Sequence, residues 1–235
     1  MTKIFTSSFE NYIIETRGDE QMTIDTKDMI NSILDSVSRI DYIKPEDLPN
    51  IDLYMDQVTT FMESQLASTK RYPEDKILTK TMINNYAKNN LLPSPEKKRY
   101  SKEHLLLLIF IYYFKNILSI NDIQTLLNPI TEKYFKSTEE KDLTYIYNEV
   151  FSLEKNRIES LKKDLLKSYH MAEGTFADAS EEDKQFLKMF SFICQLSFDV
   201  YVKKMLIEHL IDDMRPDEPS GKHRKEKPPK PRKEK

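Results

Sequence analysis

Glycine is scarce in this chain, and its placement excludes more than its number does. The three glycines stand at Gly18, Gly174 and Gly221, with none between positions 19 and 173. No glycine-rich loop can bring backbone amides against a phosphate in that interval, which argues against P-loop and Rossmann-type sites. Cysteine is scarcer still. Cys194 alone leaves no intrachain disulfide framework and no thiolate zinc site, as fits a reducing cytoplasm. Its apolar neighbours Phe192, Ile193 and Leu196 predict a buried, inert thiol, with oxidant sensing as the alternative. His104, His170, His209 and His223 are scattered without ligand spacing, so no metal and no other cofactor is expected. Long apolar runs are missing too. MTKIFTSSFENYII lacks the apolar core of a signal peptide, and the longest apolar run, residues 105–114, is ten residues. That is about half of what a bilayer needs. A cytoplasmic protein with no membrane partner is expected.

What is present is charge, and it is segregated. Apolar residues make up 39% and charged residues 32%, with a net charge of -3. Residues 1–69 carry 5 basic and 13 acidic side chains, and residues 70–104 carry 9 and 4. Residues 105–214 carry 13 and 18, and residues 215–235 carry 9 and 4. Two basic blocks therefore alternate with two acidic ones, a better guide to partners than the total.

The first basic block lies within LTKTMINNYAKNNLLPSPEKKRYSKEHLLLLIFIYYFKNILSINDIQTLL, residues 78–127. Thr79 is a good N-cap for KTMINNYAK, whose Met82, Ile83, Tyr86 and Ala87 share one face. Lys80, Thr81, Asn84, Asn85 and Lys88 take the other; every one can donate a hydrogen bond and none is acidic. Lys can neutralise phosphate and Asn can pair with adenine; an ordinary solvated face is the plain alternative. Asn89-Asn90 supplies a left-handed stop, Leu91 and Leu92 turn back into the core, and Pro93 and Pro95 forbid continuation. A tight loop with Lys97, Lys98 and Arg99 ends at Tyr100, placed either to grip a phosphate backbone or simply as a solvated turn. Ser101 caps a helix that is apolar on all sides and must be buried around most of its girth. Ser119 caps the next, INDIQTLL, which Pro129 is expected to close. Capped helix, abrupt stop, basic loop and buried helix in that order suggest a winged helix-turn-helix.

Around this unit, TKDMINSILDSVSRI predicts a helix from Thr26, and Asp52 is a candidate cap for another, residues 52–68. The link STKRYPEDKIL is an insertion loop or a short helical turn. A helix of about thirty residues follows, with Leu143, Ile146, Tyr147, Val150, Phe151, Ile158, Leu161 and Leu165 as its stripe. A second, residues 181–214, has Phe186, Phe190, Ile193, Val200, Ile207 and Leu210 as its seam, giving an antiparallel hairpin. No strand pattern is sustained. The expected fold is all-α, a helix-turn-helix followed by a long C-terminal helical hairpin. It divides into a mobile lead-in (1–24), a helix-turn-helix domain (25–135), the hairpin (136–214) and a disordered basic tail (215–235).

The stretch from Ile83 to Leu127 resembles the MerR family of bacterial transcription regulators. INNYAKNNLLPSP is similar to that family's second helix and its exit, with Tyr86 as the second aromatic, Asn90 at the glycine and Leu91, Leu92 and Pro93 as the Leu-Leu-Pro turn. RYSKEHLLLLIFI resembles the end of the wing, with Tyr100 as its tyrosine, and LSINDIQTLL resembles the helix beyond. LYMDQV, LTKTMINNYAK and KKRYSKEHLLLLIFIYYFKN more closely resemble an uncharacterised MerR-like domain-of-unknown-function family, over most of residues 25–200. Asn84 replaces the family's recognition-helix arginine and Asn85 its first aromatic; the wing is shorter and the link before Thr79 longer.

The resemblance implies a DNA-binding regulator whose helical region dimerises or senses an effector. The expected contacts to double-stranded DNA are Lys80, Thr81, Asn84, Asn85 and Lys88 in the major groove, with Lys97, Lys98, Arg99 and Tyr100 forming the wing. A homodimer through the C-terminal helices is expected. Phe186, Met189, Phe190, Phe192, Phe198, Tyr201 and Met205 either line a pocket for an apolar effector or are plain core or dimer interface. The acidic flanks favour a second reading, an interaction adaptor that keeps the fold without binding DNA. No nucleophile–base pair emerges, and Glu139-Glu140 and Glu181-Glu182 read as helix starts. No enzyme is expected.

Overall fold

A computed structural model describes residues 26–38 and 42–215. The expected lead-in (1–24) and all of the expected tail after Arg215 lie outside the described residues. The described chain is mainly helical with one two-stranded sheet: α1 (Thr26–Ser38), β1 (Leu53–Tyr54), α2 (Met55–Leu66), α3 (Lys80–Lys88), β2 (Arg99–Tyr100), α4 (Lys102–Phe114), α5 (Ile120–Tyr134), α6 (Leu143–Ser152), α7 (Glu154–Glu173) and α8 (Glu181–Met214).

Helix α4 is the axis of the main core. His104 through Tyr112, nine consecutive residues, are all buried. The coat around it comes from Val58, Met62 and Leu66 of α2, Ile83 and Tyr86 of α3, Ile123 and Leu127 of α5, and Leu143, Tyr147 and Phe151 of α6. Helix α4 ends at Lys115, whose N–H donates to the Ile111 carbonyl. Ser119 then starts α5, its Oγ accepting the Asp122 N–H at 3.2 Å.

Four expectations about helix bounds and faces are corrected. The first concerns the start of α2. Residue 54, not Asp52, is its N-cap, with the Tyr54 N–H donating to Gln57 Oε1 at 2.9 Å. Leu53 and Tyr54 form a strand paired antiparallel with Tyr100 and Arg99. Two residues are too few to carry an alternating pattern, so sequence periodicity is silent there. Second, Pro129 lies inside α5 and does not close it. Proline removes one helical hydrogen bond, but the helix runs five residues further and stops where Lys136 turns left-handed at φ 55°. Third, the long helix is two, parted at Leu153. Its first part, α6, belongs to the main core, and Glu139-Glu140 precede it in the loop, where Asp142 is the cap, accepting the Tyr145 N–H at 2.8 Å. Fourth, the expected α8 seam is solvent-facing: Phe186, Phe190, Ile193, Val200, Ile207 and Leu210 are all exposed.

Helix α8 begins where expected, with Ser180 Oγ accepting the Asp183 N–H and three acids in the first turn. It packs instead through Met189, Phe192 and Leu196, with Ile30 of α1 and Ala172 of α7, in a second, smaller cluster. Cys194 is therefore exposed, not buried. It follows Phe192 by two residues, about 200° round the helix, and faces away from that cluster. Ile211 returns the far end of α8 to the main core. In the link at residues 68–78, Ser68 and Thr69 end a 3-10 turn (Ala67–Thr69), and the alternative helical turn PEDKIL does not form.

One buried polar bond ties α6 to the chain entering the core. The Tyr147 hydroxyl donates to the Ile43 carbonyl at 2.7 Å, both residues being buried. Tyr147→Phe leaves that carbonyl with one partner fewer and should cost about 1–2 kcal/mol, read from urea unfolding.

Candidate nucleic-acid interface

Helix α3 is short and is held at both ends by local chemistry. Thr79 Oγ1 accepts the Met82 N–H at 3.2 Å. At the other end the Asn90 N–H donates to Ala87 and the Leu91 N–H to Tyr86, the two bonds of a Schellman stop. Asn90 sits at φ 55°, taking the position where glycine is commonest. The inward face, Ile83 and Tyr86, is buried, and Leu91 and Leu92 follow it into the core. The outward side chains Lys80, Thr81, Asn84, Asn85 and Lys88 are all exposed.

The basic loop is a two-residue hairpin turn. Lys97 and Lys98 lie at φ 48° and 66°, and the Arg99 N–H donates to the Glu96 carbonyl at 2.8 Å. Two left-handed central residues make a type I′ turn, whose twist suits a tight hairpin. Both lysines are exposed at its tip. In the following strand the pleat separates Arg99 from Tyr100. Arg99 faces solvent with Tyr54, its cross-strand neighbour, whose hydroxyl accepts from Arg99 Nη2 at 3.1 Å. The guanidinium also lies 5.1 Å from the Tyr54 ring centroid, within cation–π range. Tyr100 faces inward and is only 3% exposed. Tyr100 is thus corrected from contact residue to anchor: its ring is core, and burial pushes its hydroxyl pKa up.

Beneath the hairpin is His104. Its ring meets Tyr100 edge-on at 5.5 Å and Phe135 at 4.9 Å. Nδ1 accepts the Ser101 N–H at 2.9 Å, so the histidine side chain occupies the capping-box position usually held by Glu or Gln. Burial, and then the Lys136 ammonium, push the His104 pKa down, against smaller opposing effects of the Ser94 backbone and Glu103. Lys136 in turn ion-pairs with Glu96, tying the hairpin to the end of α5. That partner holds the Glu96 carboxyl below its usual range, first by hydrogen bonding and then by charge.

The structure thus brings eight of the nine expected contact residues to the surface and withdraws Tyr100. It adds neighbours that local pattern does not reveal. Asp56 ion-pairs with Lys80 and Tyr54 holds Arg99, both from the start of α2. Such pairs join residues 24 and 45 positions apart, so no sequence spacing announces them. Gln124 of α5 donates to the Asn89 carbonyl at the end of α3. Of the suggested effector-pocket residues, Met189 and Phe192 border a cleft of about 290 Å³ with Tyr169, Glu173, Lys184 and Lys188. Phe186, Phe190, Phe198, Tyr201 and Met205 are exposed on α8 and do not border it. Among the described residues no acid, His and Cys cluster suits a metal ion, and no helix is long and apolar enough to cross a membrane.

Residues 43–150 match the domain of unknown function DUF1836. The DUF1836 segment starts at buried Ile43 and ends within α6, so it takes in the whole coat of α4 up to Tyr147 and leaves α1, α7 and α8 outside. This agrees with the expectation of a domain of unknown function, over a shorter stretch than most of residues 25–200. No curated protein and no solved structure matches the chain.

The lowered His104 pKa has a sign that can be measured. Between the folded-state value and the ordinary 6.5, the unfolded chain binds the proton and the folded chain does not. Stability from this group is therefore full above pH ~6.5 and declines as pH falls below it. His104→Gln keeps an acceptor for the Ser101 N–H. Urea unfolding across that window should show a flatter pH dependence for this variant than for the parent chain, with Glu96 still ionised in both.

Proposed function

We propose that this chain is a DNA-binding transcriptional regulator of MerR-like, winged helix-turn-helix type. In this reading α3 enters the major groove and Lys97, Lys98 and Arg99 lie on flanking phosphates. The observation that carries it is an acid-free outward face on α3 and a doubly cationic hairpin tip, with Lys80 and Arg99 both held from the start of α2 by Asp56 and Tyr54. Thr81, Asn84, Asn85 and Lys88 supply hydrogen-bond donors to base edges or phosphates, and no acid stands among them.

Two contacts favour the adaptor as the second reading, since Lys80 and Arg99 already have partners in Asp56 and Tyr54. Both pairs are exposed, however. An exposed ion pair contributes about 0–1 kcal/mol, less than the counterion release that rewards a lysine on duplex DNA. The exchange of Asp56 for phosphate is therefore favourable at moderate salt.

Replacing Lys97, Lys98 and Arg99 together by Ala should weaken binding to every duplex. The slope of log affinity against log salt should fall by about 2–3, at about 0.9 per phosphate contact. Fluorescence anisotropy measures both, and an unchanged slope removes the wing from the interface.

Dimerisation belongs to the same reading. Phe186, Phe190, Ile193, Phe198, Tyr201 and Met205 form an exposed apolar stripe along α8, Phe198 being 64% exposed. Side chains of this kind present roughly 600 Å² per copy, so mutual burial clears the ~1,000 Å² of a specific interface. A second copy reading two half-sites is the partner that DNA recognition calls for. Phe190→Glu with Phe198→Glu should shift the sedimenting species from twice the 27.9 kDa chain mass to that of one chain, with helix content unchanged.

A further inference from the structure

The start of α2 touches both halves of the candidate interface. Tyr54, its N-cap, pairs across the sheet with Arg99 of the hairpin. Asp56, two residues on, ion-pairs with Lys80 in the first turn of α3. One short segment thus joins the recognition helix to the wing, through a phenol at one end and a carboxylate at the other.

At the phenol end the donors are already aligned. A tyrosine hydroxyl accepts two hydrogen bonds and donates one. The Tyr54 hydroxyl accepts from Arg99 Nε at 3.3 Å and from Arg99 Nη2 at 3.1 Å. Both acceptor positions are filled, so its own proton is left to donate outward, and both residues are exposed. The guanidinium carries N–H groups beyond the two bonded to Tyr54. Its contact with the ring at 5.1 Å holds the two side chains in one arrangement, so little rotamer freedom remains to be lost when an anion arrives. Glu96, the acid bridged to Arg99 across the turn, is engaged by Lys136. Donors set side by side in this way suit an oxyanion, and a backbone phosphate is one.

The carboxylate end works in the opposite direction. Asp56 is exposed and occupies the Lys80 ammonium where a phosphate would otherwise sit. An exposed pair of this kind is held weakly, and its acid repels an approaching duplex.

We propose that the start of α2 is a third element contacting double-stranded DNA, in which the Tyr54 hydroxyl and the Arg99 guanidinium together hold one backbone phosphate and Asp56 restrains Lys80 until another phosphate takes its place. This rests on the DNA-binding reading above and assigns it residues outside α3 and the hairpin tip.

The test is fluorescence anisotropy on a labelled duplex of arbitrary sequence between about 50 and 200 mM salt. The full chain is compared with Tyr54→Phe, Arg99→Ala, the two together, and Asp56→Asn. Tyr54→Phe keeps the ring against the guanidinium and removes only the hydroxyl. It should bind about five- to ten-fold more weakly, with an unchanged salt slope because no charge is lost. In the Arg99→Ala background the same change should cost less than about two-fold, since the two groups act as a unit. Asp56→Asn should bind more tightly, with a slope steeper by about 0.9, a sign that lost stability cannot produce. That gain should vanish when Lys80→Ala is added. If Tyr54→Phe binds like the parent chain, or loses as much without Arg99 as with it, the proposal falls while α3 and the hairpin tip stand. If Asp56→Asn binds no more tightly, Asp56 does not restrain Lys80 and the proposal falls as well. A full chain that binds no duplex at the low-salt end overturns the DNA-binding reading and this proposal together.

Discussion

A helix that buries nine consecutive residues has no face to leave in water, and that constraint organises the molecule. Each fully buried Leu or Ile of α4 is worth about 1.5–3 kcal/mol relative to exposure, but only if something covers it. The covering elements are α2, α3, α5, α6 and the inward residues of β1 and β2. Helix α3 has nine residues, too short to persist alone in water. Its place, and that of the hairpin, come from Ile83, Tyr86, Leu91, Leu92 and Tyr100 finding seats on that core. The candidate interface is the outer surface of elements positioned by their inner one.

Polar contacts act at the periphery with a different weight. Lys80–Asp56 and Lys136–Glu96 are exposed pairs that orient side chains and contribute little stability. His104 is the exception, a buried ring that caps α4, packs between Tyr100 and Phe135, and so joins hairpin, spine and the end of α5. Its neutral form is part of the packing, whereas the surface pairs can exchange partners without disturbing it.

The parts of this structure that were readable in advance are those fixed by local chemistry. Thr79, Ser101 and Ser119 stand at the starts of their helices, and Asn90 turns left-handed where α3 stops. The all-round burial of α4 follows from composition alone. What was not readable depends on distant partners. The Leu53–Tyr100 strand pairing spans 47 positions and two residues, and the inward turn of Tyr100 follows from it. Along α8, apolar residues occur on more than one face, so periodicity could not say which face meets this chain. The exposed stripe and the buried set of Met189, Phe192 and Leu196 both have helical spacing. Pro129 shows the converse, a local breaking signal overridden because Ile123 and Leu127 before it and Ile130 and Tyr134 after it all pack on one core.

Helix α8 is fastened at two points with a solvent-facing span between them, Phe192 in the small cluster and Ile211 in the large one. Nineteen residues of α-helix make a strut about 28 Å long. A continuous helix bends little over that distance and does not shorten, so the two hydrophobic clusters keep a fixed spacing. Rotating the strut about its long axis turns Phe192 and Ile211 out of their seats together, and sliding it does the same. The two clusters therefore share one mechanical coordinate, the position and rotation of α8.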